Sequence, residues 1–349
     1  MLPWSADLAG RIEHRSVDST VLRDNPLGDP HERPLLVYVP PGYDDEPERR
    51  YPVIYWLPGY SGHIGMALNR TSFRQAFPEL IDAVFAAGDT PPAIVVYFDA
   101  WTSLGGSQYL DSPATGRYHT FLCEEVVPWV DANYRTVPDR DHRAISGKSS
   151  GGYAAMVTPM LRPDLFGALA THAGDALFET GYRAELPERF RMLRREYGGS
   201  YEKFLADFRG RISGTKPSDL ELIEVYAYAA AYSADEDGTV HLPFDEIGAI
   251  VPEVWERWLA WDPVVMAARP AYAEALGSMR ALWIDAGDRD EYHLDAGAAA
   301  FRRAAAAAGV PDERIHFELF DAGHGGIEYR YPLAISWLSR MLDPDTGTS

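Results

Sequence analysis

The residue with the most chemistry to offer is Ser149, at the apex of Gly147-Lys148-Ser149-Ser150-Gly151. It follows Arg143-Ala144-Ile145-Ser146, which reads as a short buried strand, and precedes Gly152-Tyr153, where a helix of small residues begins. A hydroxyl that protrudes from a sharp strand-to-helix turn leaves no room for Cβ atoms two residues before and after it, and Gly147 and Gly151 meet that demand. The turn therefore reads as a nucleophile elbow, and the chemistry it predicts is acyl transfer. Gly147-Lys148-Ser149 also matches the end of a phosphate-binding loop, but that loop needs a glycine five positions before Gly147, where this chain has His142.

A serine hydroxyl needs a base to take its proton, usually an imidazole oriented by a carboxylate, in the chain order Ser, acid, His. His324 fits the base: it lies in Asp321-Ala322-Gly323-His324-Gly325-Gly326, a Gly-flanked loop at the end of a strand expected over 314–320. The acid is expected in Gly287-Asp288-Arg289-Asp290-Glu291-Tyr292, after a strand over 280–285. Asp290 ranks first, because three residues beyond Gly287 the loop can return a carboxylate toward His324; Asp288 is second and Asp175 third. Asp288, Asp290, Glu291, His293 and Asp295 also suggest a metal, but they lack the central Gly and bidentate Glu of a calcium loop, and His293 is too isolated for zinc. No metal and no cofactor are expected.

The developing oxyanion needs backbone donors. Ser150 N–H follows the nucleophile at a helix start, and Tyr60 N–H in Pro58-Gly59-Tyr60-Ser61-Gly62-His63 is the expected second donor, with Gly59 as the fallback. The loop 99–109 follows a strand on the edge where such sheets bind ligands, so Trp101 and Tyr109 are expected to shape a substrate pocket with Gly59 and Lys148; packing is the competing role for both aromatics.

The elements that must position these residues alternate. Apolar, β-branched and aromatic runs at 34–40, 52–57, 93–98 and 167–172 read as strands, with helices at about 71–87 and 118–134 between them. Their near-continuous apolar character predicts strands buried on both faces, hence a mostly parallel sheet covered by helices, the α/β class. From 175 to 261 the alternation stops and helices follow one another, at about 185–197, 200–211, 217–233 and 252–260. The expected organisation is thus a core from 1–174 and 262–349 with a helical cap at 175–261. The cap's Phe204, Phe208, Tyr226, Tyr228, Tyr232, Trp255, Trp258 and Trp261 either pack it onto the core or line a pocket for an apolar or aromatic substrate.

The chain of 349 residues carries a formal charge of −20 without a basic run, which excludes nucleic acid and anionic membrane as expected partners. Cys123 is the only cysteine, so there is no intramolecular disulfide, and a reducing compartment fits. Met1-Leu2-Pro3-Trp4-Ser5-Ala6-Asp7 has no basic start and apolar run of a secretory signal, and a cytoplasmic location is expected. The tail from Asp343 to Ser349 is expected to fray. A homo-oligomer is left open.

The run Leu36-Val37-Tyr38-Val39-Pro40-Pro41-Gly42-Tyr43, then Tyr51-Pro52-Val53-Ile54-Tyr55-Trp56-Leu57-Pro58-Gly59, then Gly147-Lys148-Ser149-Ser150-Gly151-Gly152-Tyr153, and finally Gly323-His324, resembles the esterase D / putative esterase family of α/β-hydrolases. That family includes feruloyl esterases, S-formylglutathione hydrolases, enterochelin esterases and mycolyltransferases. The resemblance covers about 12–174 and 262–341. It implies an α/β-hydrolase fold and a metal-independent carboxylesterase acting on small-molecule esters, with Ser149 as nucleophile, His324 as base and the acid after Gly287 as orienter. The alternatives are an acyltransferase or an amidase or peptidase on the same triad, or a non-catalytic binding protein. Three features depart from the family pattern: Pro58 stands where many relatives have His, Lys148 precedes the nucleophile, and the cap is long.

Overall fold

The computed structural model describes residues 7–70, 74–211 and 216–343. Eight strands form one sheet: β1 (Arg11–Asp18), β2 (Glu32–Val39), β3 (Val53–Leu57), β4 (Ile94–Tyr97), β5 (Arg143–Lys148), β6 (Ala168–His172), β7 (Ala281–Gly287) and β8 (Ile315–Phe320). Their spatial order is β1-β2-β4-β3-β5-β6-β7-β8. From β4 to β8 every pairing is parallel. The expected strands are all present.

Two points differ from the sequence reading. β2, whose apolar run suggested a parallel strand, is antiparallel to both β1 and β4. An uninterrupted apolar run reports burial on both faces; it carries no information on strand direction. β1 was not anticipated, because Arg11-Ile12-Glu13-His14-Arg15-Ser16 is largely polar, as suits an edge strand with most of its residues partly or fully exposed.

Helices cover both faces. Those used below are α1 (Phe77–Ala86), α2 (Val127–Asn133), α3 (Ser150–Leu161), α4 (Tyr182–Tyr197), α5 (Tyr201–Gly210), α6 (Asp219–Tyr232), α7 (Pro252–Leu259), α8 (Leu294–Ala307) and α9 (Arg330–Leu342). Residues 71–73, at the start of the helix expected over 71–87, lie outside the described residues, as do 344–349 of the tail. The central strands β3 and β4 are fully buried, and each buried Val or Ile there contributes about 1.5–3 kcal/mol.

Between β6 and β7, α4 to α7 follow one another, with no intervening strand of the sheet among the described residues. Aromatic contacts fix this segment to the core: Tyr232 packs edge-on against Tyr153 of α3 at 5.9 Å, and Tyr228 against Tyr60 at 5.6 Å. Trp258 is fully buried, with its indole N–H donating to Ser233 Oγ at 3.0 Å. Phe204, Phe208 and Trp255 also pack within the segment. Among the described residues no helix is long and apolar enough to cross a membrane.

Candidate active site

Register explains why distant segments converge. Leu57 of β3 lies opposite Gly147 of β5, Gly147 opposite Thr171 of β6, and Thr171 opposite Ile284 of β7. The parallel strands therefore end together, and the loops leaving them meet on one edge of the sheet.

The turn at Ser149 has the geometry its sequence demands. Ser149 sits at φ 58° and ψ −123°, a conformation that non-glycine residues rarely adopt. A Cβ on Gly151 would lie 2.1 Å from the Leu57 carbonyl oxygen, and one on Gly147 would lie 2.4 Å from the Gly151 backbone. The strained turn is held from below: the His172 carbonyl accepts the Ser149 N–H at 3.0 Å. His172 is itself clamped, its Nδ1 lying 2.6 Å from Asp285 Oδ1. Although burial opposes ionisation of Asp285, the facing His172, Trp283 and Arg330 hold its carboxyl below the usual range.

Ser149 Oγ lies 3.2 Å from His324 Nε2, and His324 Nδ1 lies 2.8 Å from Asp290 Oδ2. Asp290 Oδ1 accepts the Tyr292 N–H at 2.9 Å, and the Asp290 side chain is fully buried. The His324 backbone is pinned as well, its N–H donating to Glu291 Oε2 at 2.7 Å. That bond holds the Glu291 carboxyl below its usual range.

The alternative acids face elsewhere. Asp288 is half exposed and faces Arg289 at 3.8 Å. Asp175 is buried, and its Oδ2 accepts from the Tyr182 hydroxyl (2.7 Å), Gln108 Nε2 (3.2 Å) and Ser150 Oγ (3.2 Å), not from His324. Burial raises its pKa, against the pull of these donors. It ties the helical segment to the elbow.

Neither the Tyr60 N–H nor the Ser150 N–H has a protein acceptor among the described residues. Gly59 runs directly beside Ser149, where a Cβ would be 3.2 Å from Ser149 Cβ. The hairpin at Gly105-Gly106 cradles Tyr60: Gly106 N–H donates to the Tyr60 carbonyl at 2.9 Å, and the Tyr60 hydroxyl donates to the Leu104 carbonyl.

Ser149 and His324 line a cavity of about 130 Å³ with Gly59, Tyr60, Lys148, Asp175, Tyr182, Glu185, Glu224, Tyr228 and Tyr292. Gly59, Ser61 and Lys148 also border a larger cleft of about 670 Å³ walled by Trp56, His63, Met66, Phe77 and Tyr329. Trp101 and Tyr109 line neither space. Trp101 packs edge-on against His63 at 5.7 Å, and Tyr109 is buried behind the loop, its hydroxyl donating to the Pro58 carbonyl at 2.8 Å. Neither takes the place expected for it in the pocket: a loop that leaves the correct sheet edge can turn one large side chain inward, as with Tyr109, which braces the neighbouring backbone, and leave another on the surface, as with Trp101, which is 37% exposed. Of the aromatics expected in the helical segment, Tyr228 reaches the cavity.

Tyr182, Glu185, Glu224 and Tyr292 were not singled out from the sequence. Glu185 sits on α4 and Glu224 on α6, and only docking on the core turns these residues inward. Burial raises the pKa of both, that of Glu224 to about 8 although the Tyr228 hydroxyl donates to its Oε1 at 2.9 Å.

Comparison with known proteins agrees with this architecture. An endo-1,4-beta-xylanase/feruloyl esterase of Xylanibacter ruminicola is 31% identical over 136 residues, 38% of this chain and 18% of that protein. An esterase of Mycobacterium tuberculosis is 34% identical over 59 residues, 17% of this chain and 13% of that protein. The matches thus span less than a fifth of these relatives' lengths. Among solved structures, a ferulic acid esterase aligns with a TM-score of 0.60 at 21% identity, covering 96% of this chain and 100% of that one. An S-formylglutathione hydrolase from Agrobacterium tumefaciens aligns with a TM-score of 0.56 at 16% identity, covering 97% and 98%. At these identities the likeness establishes the fold, that of the α/β-hydrolases. The model of the family described as Putative esterase matches residues 30–337, a span that includes both the Ser149 elbow and the His324 loop. The chain belongs to the Putative esterase family.

Proposed function

We propose that the protein is a serine-dependent carboxylic ester hydrolase that works through a covalent acyl-enzyme. Family membership supports ester hydrolysis, and the observation that carries the mechanism is the unbroken chain from Ser149 Oγ through His324 to Asp290, at 3.2 and 2.8 Å. Ser149 attacks the ester carbonyl as His324 Nε2 takes its proton, and the same imidazole returns that proton to the departing alkoxide. Asp290 holds the tautomer with the proton on Nδ1 and stabilises the imidazolium that forms. The free N–H groups of Tyr60 and Ser150 hold the oxyanion. Water, activated by His324, then cleaves the acyl-enzyme.

In this reading the segment 175–261 is a cap over the core formed by 1–174 and 262–349, and it supplies the cavity wall through Tyr182, Glu185, Glu224 and Tyr228. Aryl and feruloyl-type esters are the substrates to try first, because the four tyrosines that line the cavity, Tyr60, Tyr182, Tyr228 and Tyr292, offer flat apolar surface. The test is a panel of p-nitrophenyl and feruloyl esters together with labelling by a fluorophosphonate. Turnover with covalent modification at Ser149 is expected. A chain that neither hydrolyses any ester nor labels at Ser149 would be a binding protein on the same fold.

A further inference from the structure

Lys148 is a cationic residue of the catalytic cavity that the acyl-transfer chemistry does not use. It ends β5 directly before the nucleophile and lines both the catalytic cavity and the adjoining cleft. Among the described residues its ammonium has neither a hydrogen bond nor an ion pair. The carboxylates whose fields reach it are Asp290, Asp175, Glu328 and Glu291, and each is engaged elsewhere. Asp290 holds His324 and the Tyr292 N–H. Asp175 accepts from Tyr182, Gln108 and Ser150, and Glu291 accepts the His324 N–H. Glu328 faces Arg74 at 3.6 Å.

The remaining acids of the cavity are also compensated. Glu185 pairs with Arg189 at 3.1 Å. Glu224, with its pKa raised by burial to about 8, is mostly protonated at neutral pH. What is left is an unpaired ammonium in the wall beside the nucleophile, where burial disfavours its charge and lowers its pKa. A partly desolvated ammonium gains a charge-assisted hydrogen bond when an anion is brought to it, and the gain exceeds that at an open surface because the local dielectric is lower.

We propose that Lys148 is a specificity-determining residue that selects esters carrying an anionic group, a carboxylate or a similar oxyanion, within reach of the scissile carbonyl. This rests on the assignment of Ser149 as nucleophile and names the substrate class of that same site. The cavity supports it: Lys148 and Ser149 line the same space of about 130 Å³, so a group bound at Lys148 is close to the reacting ester whichever half carries it.

Two ester pairs separate the halves. p-Nitrophenyl hemiglutarate against p-nitrophenyl 5-methylhexanoate places the charge on the acyl side, with an isopropyl group replacing the carboxylate in the neutral partner. 4-Acetoxybenzoate against its methyl ester places it on the alcohol side. kcat/KM is measured for both pairs in the wild type and in Lys148→Met, Lys148→Gln and Lys148→Arg. In at least one pair the charged-to-neutral ratio is expected to fall tenfold or more in the Met and Gln variants and to be largely kept by Arg. An unchanged ratio in both pairs overturns the proposal; so does an equal loss on charged and neutral esters. Fluorophosphonate labelling of Ser149 identifies variants with an intact site. Where neither neutral variant labels, inhibition of the wild type decides. Glutarate or 4-hydroxybenzoate must then inhibit neutral-ester turnover at least tenfold more strongly than glutaramide or 4-hydroxybenzamide, and equal inhibition overturns the proposal. Wild-type turnover of the neutral esters tests the Ser149 assignment separately, so the two ideas fail in distinguishable ways.

Discussion

The N–H of Gly106 donates to the carbonyl of Tyr60 at 2.9 Å, tying the loop beside Ser149 to a hairpin more than forty residues further along the chain. Gly105, next to it, has φ +95°, and a Cβ there would lie 2.6 Å from the Tyr60 ring. The proposed oxyanion donor is thus positioned by a contact that only glycine permits. Gly105→Ala is expected to destabilise the fold by about 1–3 kcal/mol through strain at a positive φ and to lower kcat by roughly tenfold or more as Tyr60 N–H moves off the oxyanion. Urea melts and steady-state kinetics on a p-nitrophenyl ester read both effects; unchanged kcat would move the donor to Gly59.

Ser149→Ala removes the proposed nucleophile without touching the packing of the elbow. Ester turnover should fall by at least about 10³-fold, with the circular dichroism spectrum and the melting temperature close to those of the wild type. Relief of the Ser149 backbone strain is not expected, because Ala needs the same φ. Retained turnover would remove the serine mechanism.

Asp290→Asn is expected to reduce kcat by about 10²–10⁴-fold, since the amide no longer favours the required imidazole tautomer. Asp288→Asn, at a half-exposed carboxylate facing Arg289, should change kcat by less than about twofold. Glu291→Ala gives an intermediate result: it frees the His324 N–H, and a misplaced imidazole lowers kcat by roughly tenfold with KM little changed. Kinetics of the three variants at one pH test the ranking. A larger effect from Asp288 than from Asp290 would reassign the acid.

Glu224 makes stability fall with rising pH. Burial lifts its carboxyl from 4.5 to about 8, so between those values the unfolded chain has released a proton that the folded chain still holds. The unfolded state then binds fewer protons, and this group's contribution to stability declines as pH rises through that window. Glu224→Gln keeps the hydrogen bond from Tyr228 without the titration. Relative to the wild type it should gain on the order of 1–3 kcal/mol between pH 5 and pH 8, read from denaturant midpoints at the two values. Parallel curves would place Glu224 in a more hydrated setting.

Ser149 and His324 were legible because their signals are local. A strained turn excludes Cβ atoms at fixed offsets, and a Gly-flanked histidine at a strand end needs no distant partner to be noticed. The sheet was legible for a similar reason, since apolar runs bounded by Pro and Gly mark buried strands. β1 escaped because a polar edge strand lacks that mark, and the direction of β2 escaped because burial is blind to it.

What the sequence by itself determined is therefore the family, the class of fold and the candidates for nucleophile and base, all written in short-range sterics and hydrophobic pattern. Only the tertiary structure brought Asp290 rather than Asp288 to His324, turned Tyr109 inward to brace Pro58, brought Glu224 and Tyr182 from the helical segment into the cavity, and left Lys148 without a partner among the described residues. Each of these depends on how separate loops and helices dock. Burial and pairing between residues far apart in the chain are properties of that docking, and no local pattern encodes them.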